Sequence, residues 1–452
     1  MAVHPIETRY SSKEMNEIFT EEARLETQIL VEAALARAHA KVGNIPQKAA
    51  EEITRKATLQ YVKLERVKAI DREIHHDTMA MVRALSEVCN EEAAKYVHLG
   101  ATSYDIVDTA FALQLRRAID LLQKRLIHLL KELVTLATEQ KNTICIGRTH
   151  GQHSLPLTYG VKFALWATEV ARHLERLSEI QRRVLIGKMS GAIGTMAGFG
   201  ENAIEIQDLV MKDLGLEPAL ITNQIIQRDR YAEMMFLLVL IGGTLSKIFK
   251  EIRNLQRTEI NELLEPFVSK SQVGSSTMPA KRNPWRSERI SGLYRVLKGN
   301  LDPALENHAL CEHERDLTNS SVERIIFPEA CILLDFMILQ SIHILSGLEF
   351  NKEQIEANLY VTDGQIMAER IMIELVKKGM DRQQAHELLR QCSIRSRSEK
   401  ISYKQSILTE ERLAPYYSEE ELNRWLDPHT YIGKSIALVD QITQKLRTEF
   451  SL

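Results

Sequence analysis

A twelve-residue segment, Val273 to Pro284, combines groups that could bind an anion and abstract a proton beside it. Gly274 permits a positive φ and two prolines fix φ on either side, so backbone N–H groups and hydroxyls can face a ligand instead of a helix. Lys281 and Arg282 add positive charge beside two adjacent serines. These residue types favour a carboxylate or a phosphate as the ligand. By composition alone, a solvated turn between two helices is the alternative.

Polar clusters that each contain a histidine interrupt the helical pattern at residues 75–77, 98–103, 147–153 and 313–321. Any one of them alone is typical of a helix cap or of a hydrogen-bonded histidine. A metal site is an alternative for the third cluster, where two histidines lie three residues apart. However, HExxH is absent from the sequence, and neither cysteines nor carboxylates complete a ligand set. The glycines at 191 and 194 lack the third glycine of a dinucleotide fingerprint.

Taken together, the clusters suit acid–base chemistry on a polyanionic substrate, without a metal or a cofactor. Removing a proton next to a carboxylate builds a dianionic transition state, which needs a base and fixed donors where the charge develops. Lys281, Asn283 and loop N–H groups could be those donors. A serine can be the base only if the loop excludes water and surrounds its oxygen with N–H groups and positive charge. A histidine, which titrates near neutral pH, suits the acid.

Composition excludes several other classes. The chain has 452 residues, 44% hydrophobic and 26% charged, with a formal net charge of −3, which indicates a globular protein and argues against nucleic-acid binding. Its five cysteines form no CxxC pair, so reduced thiols in a cytoplasmic protein are expected. The most apolar run, Met234 to Ser246, is shorter than the roughly 18 residues that span a bilayer and is predicted to be a core helix.

Three long stretches carry apolar residues at helical spacing. The first lies between Gly100 and Gly147 and contains neither glycine nor proline; the others are predicted over 158–186 and 229–264. Helices of this length are expected to form an antiparallel bundle, and the all-round apolar run from Met234 to Ile241 indicates that other subunits cover the remaining faces. Strand signals are sparse. In the first stretch, apolar residues recur every three or four positions at Leu115, Ile119, Leu122, Leu126, Leu129, Leu133 and Ala137.

These patterns predict an all-α chain, and together with the resemblance to the superfamily described next they predict three domains. Residues 1–100 are predicted to form an N-terminal helical domain, and residues 101–350 a central long-helix bundle that includes the loop at 273–284. Beyond residue 350 the helices are predicted to become shorter, because turn-forming pairs interrupt the pattern. Residues 351–452 are therefore predicted to form a C-terminal helical domain. The interrupting pairs are Asp363-Gly364, Lys378-Gly379 and Asp427-Pro428.

The segment at 274–284 is similar to the signature of the fumarase/aspartase superfamily, Gly-Ser-Ser-x-Met-Pro-x-Lys-x-Asn-Pro, and every fixed position is present. The signature alone identifies only the superfamily. Other segments resemble the adenylosuccinate lyase family within it, and the likeness runs over nearly the whole chain. Those segments are Arg9-Tyr10-Ser11, His76-Asp77, Thr102-Ser103, residues 147–151, Gln224, residues 256–259, and His313 to Asp316 with Ser320, Ser321 and Arg324.

The resemblance implies a three-domain, all-α fold whose long central helices assemble into a homotetramer, with each active site drawing on three subunits. It implies a cofactor-independent C–N lyase that acts on small nucleotides. Adenylosuccinate would give AMP and fumarate, and the succinyl-carboxamide ribotide of purine synthesis (SAICAR) would give its carboxamide (AICAR) and fumarate. No metal, nucleic acid or membrane is expected to take part.

The resemblance also implies roles for single residues. Ser275 would remove the Cβ proton, His150 would protonate the leaving nitrogen, and His76 would position groups or share in that work. Lys281, counted as catalytic, would hold the succinyl carboxylates with Asn283. Around the succinyl group, Thr102, Ser103, Thr149 and Gln224 would assist. The nucleotide, chiefly its phosphate, would be held by Arg9, Tyr10, Arg289, Arg315, Ser320 and Arg324. Asp77, Ser276 and Met278 complete the expected substrate-binding set.

Some positions depart from the family pattern: Ala280 replaces a common histidine, His75 replaces asparagine or arginine, and Thr318-Asn319 replaces Ser-His. None of them carries an assigned catalytic role. A carboxymuconate cycloisomerase is one alternative, because it would share the signature and the His150 segment but would not need phosphate-binding arginines. A helical assembly without catalytic activity is another alternative.

Overall fold

The structure, a computed structural model of the chain, describes residues 4–267, 275 and 277–452. Positions 273 and 274 and the expected substrate-binding residue Ser276 lie outside the described residues. The described part is built mainly from α-helices, which confirms the predicted all-α class. Within it, short strands pair in twos: Ile144–Thr149 with Gln152–Thr158 and Leu263–Leu264 with Glu349–Phe350 are antiparallel, and Ile186–Gly187 with Glu217–Pro218 is parallel.

The elements are numbered in chain order. Up to residue 218 they are α1 (Lys13–Ile18), α2 (Glu21–Lys41), α3 (Gln47–Lys56), α4 (Leu64–Ile74), α5 (Asp77–Val88), α6 (Glu91–Ala94), α7 (Ser103–Glu139), β1 (Ile144–Thr149), β2 (Gln152–Thr158), α8 (Tyr159–Val184), β3 (Ile186–Gly187), α9 (Ala203–Leu214) and β4 (Glu217–Pro218). The rest are α10 (Asp229–Leu255), β5 (Leu263–Leu264), α11 (Trp285–Gly299), α12 (Leu301–Ala309), α13 (Thr318–Ser346), β6 (Glu349–Phe350), α14 (Lys352–Tyr360), α15 (Ala368–Lys377), α16 (Arg382–Glu399), α17 (Tyr403–Leu408), α18 (Glu419–Leu426) and α19 (Ser435–Phe450).

The long helices follow the predicted apolar spacing. The seven positions that predicted the first of them all lie in α7, and each of these side chains is fully buried. Helix α8 matches its predicted range to within two residues at each end. Helix α10 ends at Leu255, nine residues earlier than predicted. The chain reverses there, since the Glu262 N–H donates to the Leu255 carbonyl at 2.9 Å and Asn261 adopts a φ of 50°.

Sequence analysis did not predict α13, the fourth long helix. Its first turn belongs to a polar segment that was interpreted as a cluster of donors, and Pro328 lies inside it. A proline removes one hydrogen bond from a helix and argues against a continuous helical prediction. In α13, the burial of apolar side chains compensates for the lost hydrogen bond. Phe327, Ala330 and Leu334, for example, are almost wholly buried.

Two described helices, α10 and α13, are long and apolar enough by length and composition to cross a membrane. However, 67% of the most apolar window of α10 and 72% of that of α13 is buried inside the structure. The core helices of soluble proteins pass the same test, and this burial agrees with the prediction that Met234 to Ser246 is part of a core helix.

The chain divides into two compact units. Unit 1 comprises Met1–Leu126, Arg172–Ser246 and Ile290–Gln340. Unit 2 comprises Ile127–Ala171, Lys247–Arg289 and Ser341–Leu452. The division into domains 1–100, 101–350 and 351–452 stays a prediction. The shorter C-terminal helices do break where predicted, since Asp363, Gly364 and Gly379 adopt positive φ between elements.

Unit 1 contains ion pairs that are almost completely buried. Lys188 donates to Asp105, and neither side chain is exposed to solvent. Arg228 donates to Asp108 at 2.8 Å and to Glu323 at 2.9 Å, and its side chain is 2% exposed. Each of these buried charges contacts an opposite charge. The attraction between the charges offsets the free-energy cost of removing them from water.

Unit 1 also contains a largely buried pair formed by a histidine and a glutamate. His98 Nδ1 lies 2.6 Å from Glu32 Oε1, with the two side chains 13% and 0% exposed. Burial lowers the pKa of His98, but the Glu32 carboxylate outweighs burial and raises that pKa above its ordinary value. Protonated His98 therefore stabilises the fold fully below the unfolded pKa, near 6.5, and this contribution is lost as the pH rises through the folded pKa.

We expect His98→Gln to lower the free energy of unfolding by about 2 kcal/mol near pH 6, because a charge-assisted hydrogen bond is lost. The difference from the wild type should shrink toward pH 9. Thermal unfolding across that range measures it. His128→Gln is the control, since His128 lies 3.6 Å from Glu132 with its side chain 57% exposed. A difference that is constant with pH would contradict the assignment of the protonated pair.

Candidate active site

The expected acid, His150, lies at the tip of a β-hairpin in unit 2. Strands β1 and β2 pair from Ile144 with Thr158 to Thr149 with Gln152, so His150 and Gly151 form a two-residue turn. Their φ values of 53° and 72° are both positive, as a type I′ hairpin turn requires. All four residues of the turn are exposed in the isolated chain. The turn therefore presents the imidazole outward.

A bulge in this hairpin explains part of the Gly147–Gly151 motif. The strand register shifts between Ile146 and Arg148. A Cβ atom on Gly147 would lie 2.8 Å from the Leu155 carbonyl oxygen, so glycine is the residue that fits there. Bulges of this kind change the direction of the side chains that follow them. Here the residue after the bulge is Arg148, which donates to the buried Glu262 carboxylate.

Ser275, the expected base, is positioned by its own loop in unit 2. Its Oγ accepts hydrogen bonds from the backbone N–H groups of Thr277 at 3.3 Å and Met278 at 3.1 Å. Donors on a hydroxyl oxygen stabilise negative charge there, which is the condition for a serine base. The Met278 side chain is 60% exposed. The Met278 carbonyl accepts from the Lys281 N–H at 3.1 Å, which places the ammonium-bearing residue one turn further on.

Lys281 and Asn283 line a cavity of about 620 Å³ in unit 2. Basic side chains dominate its wall, and Glu288 is the one acidic side chain among the described lining residues. Such a charge balance favours a dianionic ligand. The cations that line it are Lys250, Arg253, Arg257, Lys281 and Arg282.

Although Arg282 lines this cavity, its guanidinium is hydrogen-bonded to other groups of the protein and helps to hold the loop. Its guanidinium donates two bonds to the Glu349 carboxylate, at 3.0 and 2.8 Å, and one to the Glu265 carbonyl at 3.1 Å.

Gln256 donates to the Arg282 carbonyl at 2.9 Å and accepts from the Glu265 N–H at 2.9 Å. The Glu265 carboxylate in turn accepts from the Ser287 N–H at 2.7 Å, at the start of α11. These bonds fix both ends of the stretch that carries Lys281 and Asn283.

In unit 1, His76 and Asp77 open α5. His76 Nδ1 accepts from the Met79 N–H at 3.3 Å, so a neutral imidazole here carries its proton on Nε2. Asp77 Oδ2 accepts from Arg324 at 2.5 Å and from Arg24 at 3.2 Å. Burial raises the pKa of Asp77, but the charges of the two arginines outweigh burial and hold that pKa below its ordinary value.

Arg324 and Ser320 line a cleft of about 210 Å³ in unit 1, together with Arg24. Sequence analysis missed Arg24. It lies in the helical pattern of α2 among charged residues, where an arginine is ordinarily on a solvated face. Only its contact with Asp77 distinguishes it, and that contact joins residues 53 positions apart.

Other expected nucleotide residues form pairs within unit 1. Arg315 donates to the Gln224 side chain at 2.8 Å and stacks over the Tyr104 ring, 3.8 Å from its centroid. Arg9 Nε donates to the Tyr10 hydroxyl at 3.3 Å. Two hydrogen bonds in unit 1 thus join expected binding residues that are distant in sequence, Arg315 with Gln224 and Arg324 with Asp77. Ser320 lines the same cleft as Arg324.

Thr102 and Ser103 lie where α7 begins. The Thr102 N–H donates to Asp105 Oδ2 at 2.8 Å, which closes the first turn. Asp105 Oδ1 also accepts from the Ser190 N–H at 2.8 Å. A buried carboxylate thus joins the Thr102–Ser103 turn to the segment after β3.

The expected residues fall into two sets. Unit 1 holds Arg9, Tyr10, His76, Asp77, Thr102, Ser103, Gln224, Arg315, Ser320 and Arg324. Unit 2 holds Thr149, His150, Ser275, Met278, Lys281, Asn283 and Arg289, whose guanidinium lies 4.5 Å from the Trp285 ring centroid. In the part of the chain that the structure describes, no three His, Cys, Asp or Glu side chains gather where they could hold a metal ion.

Comparison with known proteins identifies the class. Residues 7–299 match the family described as Lyase, and residues 364–442 match the family described as adenylosuccinate lyase C-terminus. The fold superposes on the 3-carboxy-cis,cis-muconate lactonizing enzyme from Pseudomonas putida with a TM-score of 0.88, at 32% identity over 98% of both chains. The fold and the signature loop define a lyase of the fumarase/aspartase superfamily.

Similarity to curated relatives narrows the class. The chain is 55% identical to adenylosuccinate lyase from Pyrococcus abyssi over 98% of its length and 97% of the relative. It is 51% identical to adenylosuccinate lyase from Methanocaldococcus jannaschii over 99% of its length and 97% of that relative. The chain belongs to the adenylosuccinate lyase family.

The hairpin turn predicts how substitutions behave. Gly151→Ala should lower the free energy of unfolding by about 1–2 kcal/mol, because an L-residue is strained at positive φ. Gly43→Ala is the matched control: its φ is 81° against 72°, and neither added Cβ would meet an atom within 4 Å. Hydrogen exchange of the hairpin amides should quicken only in Gly151→Ala. Equal exchange at the hairpin in both variants would show that the turn does not need glycine.

Proposed function

We propose that the chain removes fumarate from adenylosuccinate to give AMP, and from the succinyl-carboxamide ribotide to give its carboxamide, two β-eliminations of purine biosynthesis. The observation that carries the proposal is 55% identity to the Pyrococcus abyssi adenylosuccinate lyase over 98% of the chain. The match of residues 364–442 to the C-terminal part of that family supports it independently of the superfamily signature.

In the proposed reaction, Ser275 is the base. The two backbone N–H groups that reach its oxygen stabilise the alkoxide that takes the Cβ proton. The electrons of that C–H bond pass into the adjacent carboxylate, which becomes a dianion. Lys281 and Asn283, on the wall of the basic cavity, stabilise this charge where it develops. Thr102, Ser103, Thr149 and Gln224 complete the succinyl contacts.

His150 is the proposed acid. As the C–N bond breaks, its imidazolium gives a proton to the leaving nitrogen of the purine amine, so that fumarate and a neutral amine separate. Its place at an exposed hairpin tip supports delivery to a substrate bound outside the hairpin. His76 offers Nε2–H, because its Nδ1 is engaged at the cap of α5, and this donor suits positioning of the substrate.

The nucleotide end is proposed to bind the arginines of unit 1. Arg324, Arg24 and Ser320 border one cleft, and a phosphate there would replace the Asp77 carboxylate as the partner of Arg324. Arg9, Tyr10 and Arg315 of unit 1 and Arg289 of unit 2 are the other proposed contacts. Asp77, Ser276 and Met278 complete the proposed set.

We propose that the working form is a cytoplasmic homotetramer with active sites shared between subunits. Large apolar side chains on the long helices support this, because they are exposed in the isolated chain. They include Leu165 on α8 at 62%, Phe236 on α10 at 53% and Ile325 on α13 at 63% exposure.

The test is to mix the purified protein with adenylosuccinate and to assay AMP and fumarate, with carboxymuconate and argininosuccinate in parallel. We expect equal amounts of AMP and fumarate, and light scattering of the same sample should return the mass of a tetramer. Reaction with carboxymuconate alone would favour a cycloisomerase. A folded tetramer that converts none of the three substrates would favour a scaffold without catalytic activity.

Ser275→Ala should lower kcat by about 100- to 10,000-fold, the range for losing a general base. The fold should be unaffected, since Ser275 is partly exposed and contacts only its own loop among the described residues. Ser398→Ala is the control, because its hydroxyl bonds only within α16. Full turnover by Ser275→Ala would overturn the assignment of the base.

A further inference from the structure

Glu262 carries a carboxylate that the proposed reaction does not use. Its side chain is completely buried in unit 2. Oε1 accepts from Arg148 Nη2 at 2.5 Å and from Asn358 Nδ2 at 2.8 Å, and Oε2 accepts from the Tyr159 hydroxyl. An ionised carboxylate is tolerated inside a protein when donors and an opposite charge meet it, as they do here.

The backbone of Glu262 is held as firmly as its side chain. Its N–H donates to the Leu255 carbonyl at 2.9 Å, and its carbonyl accepts from the Asn351 N–H at 3.0 Å. The residue is therefore fixed between the end of α10 and the start of α14. From this fixed point, the carboxylate holds hydrogen bonds to three side chains from other elements.

The partners of Glu262 hold the His150 hairpin at two points. Arg148 lies two residues before His150 on β1, next to the bulge. Tyr159 follows β2 directly as the first residue of α8. One contact is thus near the tip of the hairpin and the other at its base. Asn358, on α14, links the same carboxylate to the C-terminal helices.

The charge of Arg148 also matters at the tip. Arg148 on β1 lies opposite His153 on β2 in the strand register. Arg397 lines the same cavity as His153. Burial lowers the pKa of His153, the Arg148 charge lowers it further, and the Glu262 charge opposes that effect. Glu262 therefore contacts both ends of the hairpin and also contributes to the charge around His153.

We propose that Glu262 is a positioning residue that holds the Arg148 and Tyr159 side chains so that the hairpin presents His150 in the orientation for proton delivery. This rests on the proposed function, in which His150 is the acid. Glu262 itself does not touch substrate. No motif marks it, because in the sequence it is one of several glutamates between α10 and the signature segment.

The test compares Glu262→Gln with Tyr159→Phe, which removes a single hydrogen bond and leaves the buried charge pair intact. We expect Glu262→Gln to lower kcat about 100-fold, the effect of misplacing a catalytic group by about 1 Å, with KM changed less than about 3-fold. Tyr159→Phe should give a smaller loss of the same kind. Glu169→Gln is the matched control, since it removes a carboxylate paired with Lys247 in the same unit, and the side chain of that lysine is 57% exposed.

A second readout does not depend on turnover. In Glu262→Gln the charge of Arg148 loses its partner, so the pKa of His153, followed by NMR, should fall below its value in the wild type. Amides of the hairpin should also exchange faster. Unchanged kcat in a folded Glu262→Gln protein, or an equal loss in Glu169→Gln, would overturn the positioning role.

The two proposals can fail separately. If the wild type converts adenylosuccinate and Glu262→Gln does so equally well, only the positioning role is wrong. If the wild type does not convert adenylosuccinate, the proposed function is wrong. The His153 titration and the hairpin exchange then decide whether Glu262 holds the hairpin, and an unchanged titration with unchanged exchange would refute that as well.

Discussion

A carboxylate cannot remain charged in an apolar interior unless donors surround it, and in unit 2 this constraint arranges the chain around Glu262. Its donors come from β1, α8 and α14, and each donor residue lies 96 or more positions from Glu262 in the sequence. Each must approach within hydrogen-bonding distance for the charge to be tolerated. Displacing any of these elements would cost free energy, because it would leave the buried charge without one of its partners.

In unit 1, the buried carboxylate of Asp105 is likewise surrounded by donors. That carboxylate receives the Lys188 ammonium, the Ser190 N–H and the Thr102 N–H. It joins the first turn of a long helix to a loop more than eighty residues away. In both units a rigid helix provides the frame and a buried carboxylate fixes the irregular segment that carries the candidate binding groups. This division suits an active site whose polar groups must hold still while charge moves.

Much of the frame could be predicted from sequence. The leucine spacing of α7 identified its buried face correctly, and glycines and prolines marked the breaks between the C-terminal helices. The prediction for α10 was wrong at its end, because the polar turn at 256–262 continues a helix-compatible pattern. The reversal shows in the structure, in the backbone bond from Glu262 to Leu255 and the positive φ of Asn261. Helix α13 was missed for the opposite reason, since Pro328 and a polar first turn argued against a helix that tertiary burial stabilises.

The candidate site was predictable where short motifs carry the chemistry. Ser275, Lys281 and His150 were chosen because their segments match family motifs, although the residue types alone also fit a solvated turn or a helix cap. Their supporting partners were not predictable. Arg24, Glu262 and Glu265 are ordinary charged residues in sequence, and their roles come from contacts across 53 residues for Arg24 and 114 for Glu262. Periodicity reports which face of a helix is buried, but it does not report which charges meet. The assigned catalytic roles themselves stay predictions.

The two compact units are joined in an uncommon way. Each of the five points at which the chain passes from one unit to the other lies inside a helix, in α7, α8, α10, α11 and α13. A boundary in a loop allows one part of a protein to melt while the other persists. Here, unravelling either unit breaks hydrogen bonds of helices that continue into the other. Cleavage of the chain at any of these five points would therefore interrupt a helix and not a loop.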